Sequence, residues 1–470
     1  MPLWEILSAE EIASIHQATL RVLDEVGVVV GHETTREMLV ELGAQLRGDR
    51  VLMPPEMVER AVSISTGKVE IKGRGGNFLA LGDGNLHWHN VGGARDVYLP
   101  DLQKTRAATI QDVKDSTRLL DSLEHASTIT PFFTPQDVPG EIMSLAMYRY
   151  ALPFTTKPLQ GPGVQVAAEV KYVVEMAEVI GPVSEVLSMS VSPVSPLTFP
   201  SDITESMVEI ARHGISFGPL PCPTAGTTAP LSIAGALTQQ NAEVLASIVI
   251  VQAVNPGLPI IYCGRLAMME PRTAISVWGG IELGIASAAT VQIGHSYGLP
   301  VNVYGLSTNA HNFDIQNGYE RALNAILPAL AGADELSGIG EMSAGVMGAY
   351  AQMVCDNDIA ASIKRARSGI VVNADSLAVD VITKVIASSR IFVGEKHTVD
   401  YLRAGEIIYT KLGERRSFED WARSGYEGMA ERAHAEAERI LIEYEVPPLL
   451  EEQEKELDRI LESAEKELSK

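Results

Sequence analysis

The chain has 470 residues, 46% of them hydrophobic and 21% charged, with a formal net charge of -23 at pH 7. That length can bury a large core, in one big domain with additions or in two to three smaller ones. So acidic a chain excludes a nucleic-acid partner unless a basic patch is hidden in the count, and its field concentrates cations.

No apolar run approaches the roughly 20 residues of a membrane helix, and Met1-Pro2-Leu3-Trp4-Glu5 carries no basic leader. Three scattered cysteines, Cys222, Cys263 and Cys355, suit a reducing compartment, and a cytoplasmic location away from membranes is expected. Ser8-Ala9-Glu10-Glu11 has the form of a capping box, and Ile12, Ile15, Val22 and Val26 follow at helical spacing until Gly27. A second helix runs from about Glu33 to Leu42. Between Val69 and Leu99 the character turns to β: Phe78 to Leu81 and Leu86 to His89 flank Gly82-Asp83-Gly84-Asn85, which reads as a hairpin. This small sheet is expected to be a cap, so residues 1–106 form a helical segment plus a β cap.

Residues 107–350 alternate short strands with amphipathic helices. The strand candidates are Thr128 to Phe133, Lys157 to Gly161, Leu187 to Val191, Ile215 to Pro219, Pro259 to Cys263, Val301 to Tyr304 and Leu336 to Gly340. Such alternation defines an α/β fold with a parallel sheet, either open or closed. No Gly-x-Gly-x-x-Gly turn follows an early strand, which favours a (β/α)8 TIM-type barrel, although only seven strands read cleanly and the eighth is not obvious. Residues 351–470 read as helices that complete the barrel. They end, after Val446-Pro447-Pro448, in an acidic helix that either wraps a neighbouring subunit or packs on its own domain.

The strand-end loops are rich in Pro, Gly, Ser, Thr and Asn and poor in acids and bases. The ionisable exceptions are Arg265, His311, Asp314 and Glu341. His311 and Glu341, with Tyr304, are the first candidates for chemistry, although a loop-bracing role also fits His311. Phe132, Phe133, Tyr304 and Phe313 are either core or faces for a cation. Gln160, Thr227, Thr228 and Asn309 supply amides and hydroxyls, and Arg265 is either a structural ion pair or a fork for a carboxylate. Cys222 and Cys263 with His311 or Glu341 could in principle hold zinc, but no Cys-x-x-Cys or His-x-x-x-His spacing exists and no metal is expected. His87 and His89 flank Trp88 as ligands or as a packed strand face.

An ordered set of segments carries a resemblance. Leu7-Ser8-Ala9-Glu10-Glu11-Ile12, Val22 to Gly27, Gly92-Gly93-Ala94 with Asp101, Arg106, Thr109 and Asp112, Gly294 to Pro300, Gln316 to Glu320, Ala331 to Asp334 and the Trp421 region are similar to the trimethylamine methyltransferase family over nearly the whole chain. The resemblance implies a (β/α)8 barrel that moves a methyl group from a methylated amine to the cobalt of a separate corrinoid (cobalamin) protein. Founding members carry pyrrolysine, whereas this sequence has only the twenty standard residues and resembles the branch that lacks pyrrolysine, associated with quaternary amines such as glycine betaine. A small quaternary-amine substrate, a corrinoid partner and a homo-oligomer are therefore expected. A metal-dependent barrel hydrolase or lyase and a non-catalytic betaine-binding barrel are the competing readings.

Overall fold

The computed structural model describes residues 4–388 and 390–469. Its centre is built from short strands that are buried on both faces, as in Val301–Tyr304 and Glu335–Ile339. Strands of that kind belong to a parallel sheet covered on each side by helices. Tyr262–Gly264 pairs in parallel with Val301–Tyr304, that strand with Glu335–Ile339, and the last with His87–Asn90. Parallel links continue from His89 to Thr128 and from Ile129 to Leu159. The Gly161 N–H then donates to the Ser188 carbonyl at 2.9 Å. Ser188–Val191 pairs in parallel with Ser216–Pro219, and Phe217 bridges to Ile260.

Helices Ile233–Val254 and Ile281–Ser296 lie over this sheet, and close approach requires glycine. A Cβ on Gly294 would meet Val301 Cγ2 at 2.5 Å and the Tyr262 ring at 2.9 Å. Gly338 has φ +121° with the Leu306 backbone against it, where a side chain would be strained, and the register of its strand against His87–Asn90 shifts between Leu336 and Ile339.

The fold is mixed α/β with parallel pairing; four of the expected strands form within a residue or so of their expected bounds, Pro259 to Cys263 forms as Tyr262–Gly264, and Thr128 to Phe133 and Lys157 to Gly161 contribute only isolated parallel bridges. One expectation is overturned. Phe78–Leu81 pairs antiparallel with Val69–Lys72, while His87–Asn90 joins the main sheet, so Gly82 to Asn85 is not the turn of a hairpin between them. His87–Asn90, within residues 1–106, thus supplies a strand to the sheet that holds Val301–Tyr304 and Glu335–Ile339. The acidic terminal helix Glu451–Leu468 packs on its own chain through buried Leu457, Ile460 and Ala464. Buried Arg149 clamps it, bonding to Asp458 at 2.9 Å and Glu454 at 2.6 Å.

A buried ion pair ties the last strands to the helices outside them. Arg321, on Ile315–Leu330, meets Asp356, on Tyr350–Arg367, at 2.9 Å with neither side chain exposed. Arg321 also donates to Asn317 Oδ1 and to the Leu306 carbonyl, each at 2.7 Å, and Asp356 accepts the Gly340 N–H at 2.7 Å. Burial pushes the Asp356 carboxyl up to about 6, against the pull of Arg321. Arg321→Ala strands that carboxylate and should lose about 3–5 kcal/mol in urea unfolding, whereas Arg321→Met with Asp356→Leu should stay near the parent. Equal losses in both variants would mean that the pair's charge is irrelevant.

Candidate active site

The carboxyl ends of the parallel strands surround a cavity of about 440 Å³. Among the described residues that line it, the only Lys, Arg, Asp or Glu side chains are Arg265 and Glu335, and both are buried. Asn302 stands between them, its neighbours in register being Cys263 on one strand and Glu335 on the other. Its amide N–H groups donate to Glu335 Oε2 at 2.5 Å and to His89 Nε2 at 2.8 Å. Its amide oxygen accepts from Arg265 Nη2, and its backbone carbonyl accepts Arg265 Nη1 at 3.0 Å. Glu335 Oε1 accepts from Thr128 Oγ1 at 3.0 Å.

This wiring sets protonation states. His89 Nε2 accepts, so the proton of the neutral ring sits on Nδ1. Burial holds His89 below its usual range, although Glu335 pulls the other way, and the ring is neutral at pH 7. Burial pushes the Cys263 thiol up to about 12, too high to supply a thiolate at neutral pH. Arg265 makes no ion pair within 4 Å among the described residues, and its guanidinium lies 4.7 Å over the Tyr304 ring. Trp278 meets that ring edge-on at 5.1 Å. No group of three or more His, Cys, Asp or Glu among the described residues is placed to hold a metal ion.

Of the residues singled out from sequence, the cavity gathers Arg265, Tyr304, Cys263, His89 and Gln160, the last accepting from Thr130 Oγ1 at 3.3 Å. The others lie elsewhere. Phe132 and Phe133 are fully buried core rings 4.7 Å apart, Phe132 filling the space over Gly348, where a Cβ would meet it at 2.2 Å. They cannot form a cation cage, because other side chains and backbone cover their faces. The Thr227 and Thr228 hydroxyls serve their own turn: Thr228 Oγ1 accepts the Thr224 N–H at 2.8 Å and Thr227 Oγ1 donates to the Thr224 carbonyl. Asn309 braces a loop by accepting the Trp278 and Gly279 N–H groups at 2.7 Å, and Phe313 packs beside Tyr98. His311 is exposed and lines no part of the cavity.

Glu341 is buried behind the strand end, outside the cavity, and Oε1 has no hydrogen-bond partner. Sequence reasoning missed Asn302 and Glu335, and named His89 only as a ligand or part of a packed strand face. The available signal was a polar side chain inside an otherwise apolar strand, which burial makes costly unless it is paired.

Parallel strands whose ends enclose a polar-floored cavity define an enzyme-like α/β fold for a small molecule. A family model described as trimethylamine methyltransferase (MTTB) matches residues 1–469, and the chain belongs to that family. A trimethylamine methyltransferase MttB of Desulfitobacterium hafniense is 30% identical over 98% of this chain and 94% of its own length. A glycine betaine methyltransferase of the same species is 27% identical, covering 96% and 95%. The fold is similar to a crystal structure of the hydroxylamine MtmB complex, with a TM-score of 0.50 and 13% identity over 98% of this chain and 92% of that one. The protein is a methyltransferase.

Burial pushes the Glu341 carboxyl up to about 7, although the neighbouring Ser307 and Arg321 oppose it. The unfolded chain ionises this group near 4.5, so the folded state holds the extra proton between about pH 4.5 and 7 and stability falls as pH rises through that window. Glu341→Gln should remove that part of the slope and gain roughly 1–3 kcal/mol above pH 7, read from urea midpoints across pH. A variant with the parent's slope would refute the assignment.

Proposed function

We propose that this methyltransferase takes a methyl group from a zwitterionic quaternary amine of the glycine betaine class and delivers it to the Co(I) of a separate corrinoid protein. The observation that carries the reading is the cavity's charge inventory, one arginine and one glutamate held apart by one amide. Arg265 suits the substrate carboxylate. The quaternary nitrogen has no N–H to offer, so it is held by charge and polarizable faces, which Glu335, Met143 and Met147 supply. The Tyr304 face that Arg265 covers is not available to a second cation, so the ammonium lies on the Glu335 side.

We further read the parallel links from His87–Asn90 through Glu335–Ile339 as a closed ring of eight strand segments, a (β/α)8 barrel with the cavity at its mouth. The reduced cobalt of the partner supplies the nucleophile. As the methyl carbon bonds to it, the C–N bond breaks, its electron pair stays on nitrogen, and a neutral tertiary amine leaves without taking a proton. The cavity's neutral histidine and protonated Cys263 thiol fit a reaction that requires no acid. Gly92, Gly93, Gly161 and Gly163 line the cavity and leave room for a bulky acceptor. The chain works without pyrrolysine in this reading, and the three free cysteines fit a reducing cytoplasm.

Arg265→Ala should weaken binding of glycine betaine ten-fold or more while changing choline little, and Glu335→Gln should weaken both. Calorimetry measures binding, and single turnovers with Co(I) cobalamin measure transfer. Equal losses for betaine and choline in Arg265→Ala would make the arginine structural and overturn the zwitterion reading. His311→Ala should leave both measurements unchanged.

A further inference from the structure

One wall of the cavity is held from outside by the end of the chain. Helix Met143–Ala151 gives the cavity Met143, Ser144 and Met147, and the loop from Gly161 to Gln165 continues the wall. The two parts are joined, because Ser144 Oγ donates to the Gly163 carbonyl at 2.8 Å. At roughly 100° per residue, Ser144 and Met147 lie within about 100° of Met143 on one side of the helix, and Arg149 lies about 120° round on the other. That arginine therefore reaches away from the cavity, to Glu454 Oε2 at 2.6 Å and Asp458 Oδ1 at 2.9 Å on Glu451–Leu468. The same terminal helix grips Ala167–Glu178, the helix that follows the loop. Lys171 Nζ and the Tyr172 hydroxyl both donate to Glu467 at 2.7 Å, and Gln453 Nε2 donates to the Val179 carbonyl at 2.9 Å.

We propose that Glu451–Leu468 braces the substrate cavity and that Arg149 is a positioning residue, acting through Met143 and Met147 on the quaternary ammonium; the second half rests on the betaine reading above. Exposure decides which group depends on which. The Arg149 side chain is 6% exposed, whereas Glu454 and Asp458 are 36% and 55% exposed. The carboxylates can hydrate where they stand. The guanidinium cannot, and a buried charge that loses its partners has to reach water. It does so by displacing the terminal helix or by turning Met143–Ala151, and either movement frees the wall that carries Met143 and Met147.

The brace is lightly rooted in the rest of the chain. Residues 445–449, which lead into it, form no helix or strand, and Pro447 and Pro448 have no N–H to donate. Its buried side chains are Leu457, Ile460 and Ala464. Eight acids and three bases leave residues 451–468 at -5, and Arg149 and Lys171 are cations that meet this charge from the helices beneath. Seating is thus governed by the ion pairs as well as by packing. Coupling between two sites is reciprocal, so a helix that tightens betaine binding must itself be tightened by betaine.

Hydrogen exchange and calorimetry on the full chain test this. In Glu454→Gln with Asp458→Asn, the amides of Met143–Ala151 should exchange about five-fold faster or more without ligand, while those of Ala9–Arg21 stay within about two-fold of the parent. Glycine betaine and choline, which share the ammonium, should both bind about five-fold more weakly or worse. In the parent, saturating betaine should slow exchange along Glu451–Leu468, although none of its residues lines the cavity. Wall amides that exchange at the parent's rate in the variant, or a terminal helix whose exchange betaine leaves unchanged, overturn the proposal. Faster exchange throughout the chain overturns it too, since the ion pairs would then serve stability alone. A parent that binds no betaine refutes the betaine reading, and the ligand-free exchange still decides whether the helix braces the wall. Should the double variant fail to fold, Asp458→Asn, at the more exposed position, gives the same comparison.

Discussion

The Asn302 side chain is the constraint around which the cavity is organised. Arg265 and Glu335 are opposite charges buried in one small space, and in direct contact they would neutralise each other and leave nothing for a ligand. A primary amide offers both polarities at a fixed spacing, so its oxygen takes the guanidinium and its N–H groups take the carboxylate and His89. The two charges are joined through the amide and make no ion pair with each other. The arrangement depends on register, because a slip of one residue in Val301–Tyr304 would turn Asn302 out of the cavity. The bulge at Gly338 and the close seat of Gly294 against Val301 and Tyr262 belong to what fixes that register.

Much of this was legible in the sequence, and the failures have physical causes. Strands such as Val301–Tyr304 announce themselves because a strand buried on both faces must be apolar almost throughout. His87–Asn90 was read as half of a hairpin, since Asp-Gly between two β runs is strong local turn chemistry. What won was the pairing of this strand with Glu335–Ile339, a partner more than 200 residues away that local reading does not see. Strand-end position identified Arg265, Tyr304 and Gln160 but also nominated Phe132 and Phe133, because sequence position does not distinguish a side chain aimed into the mouth from one aimed into the core.

The stretch from Gly305 to Glu341 shows why ionisable residues near strand ends need not be reactive. Asp314 and Glu320 within it, and Asp356 on the helix behind it, are committed to holding backbone. Glu320 Oε2 accepts from Thr308 Oγ1 at 2.5 Å and from the Asn309 N–H at 2.9 Å, and Asp356 takes the Gly340 N–H. Glu341, its carboxyl pushed up by burial, lies outside the cavity. Loops that would otherwise move are tied down from behind by charge-assisted bonds.

That investment suits the proposed methyl transfer from a quaternary nitrogen. The leaving group departs neutral, so a general acid adds nothing, and the remaining barrier lies in aligning one methyl with an incoming nucleophile and in keeping water away. Alignment can contribute about 7–11 kcal/mol when the reacting atoms are held in an attack geometry. A rigid wall contributes to that and a mobile acid does not. Buried acids spent on the scaffold, neutral groups at the floor and a single pair of opposed charges are what such a reaction selects for, and the same residues would make a poor hydrolase.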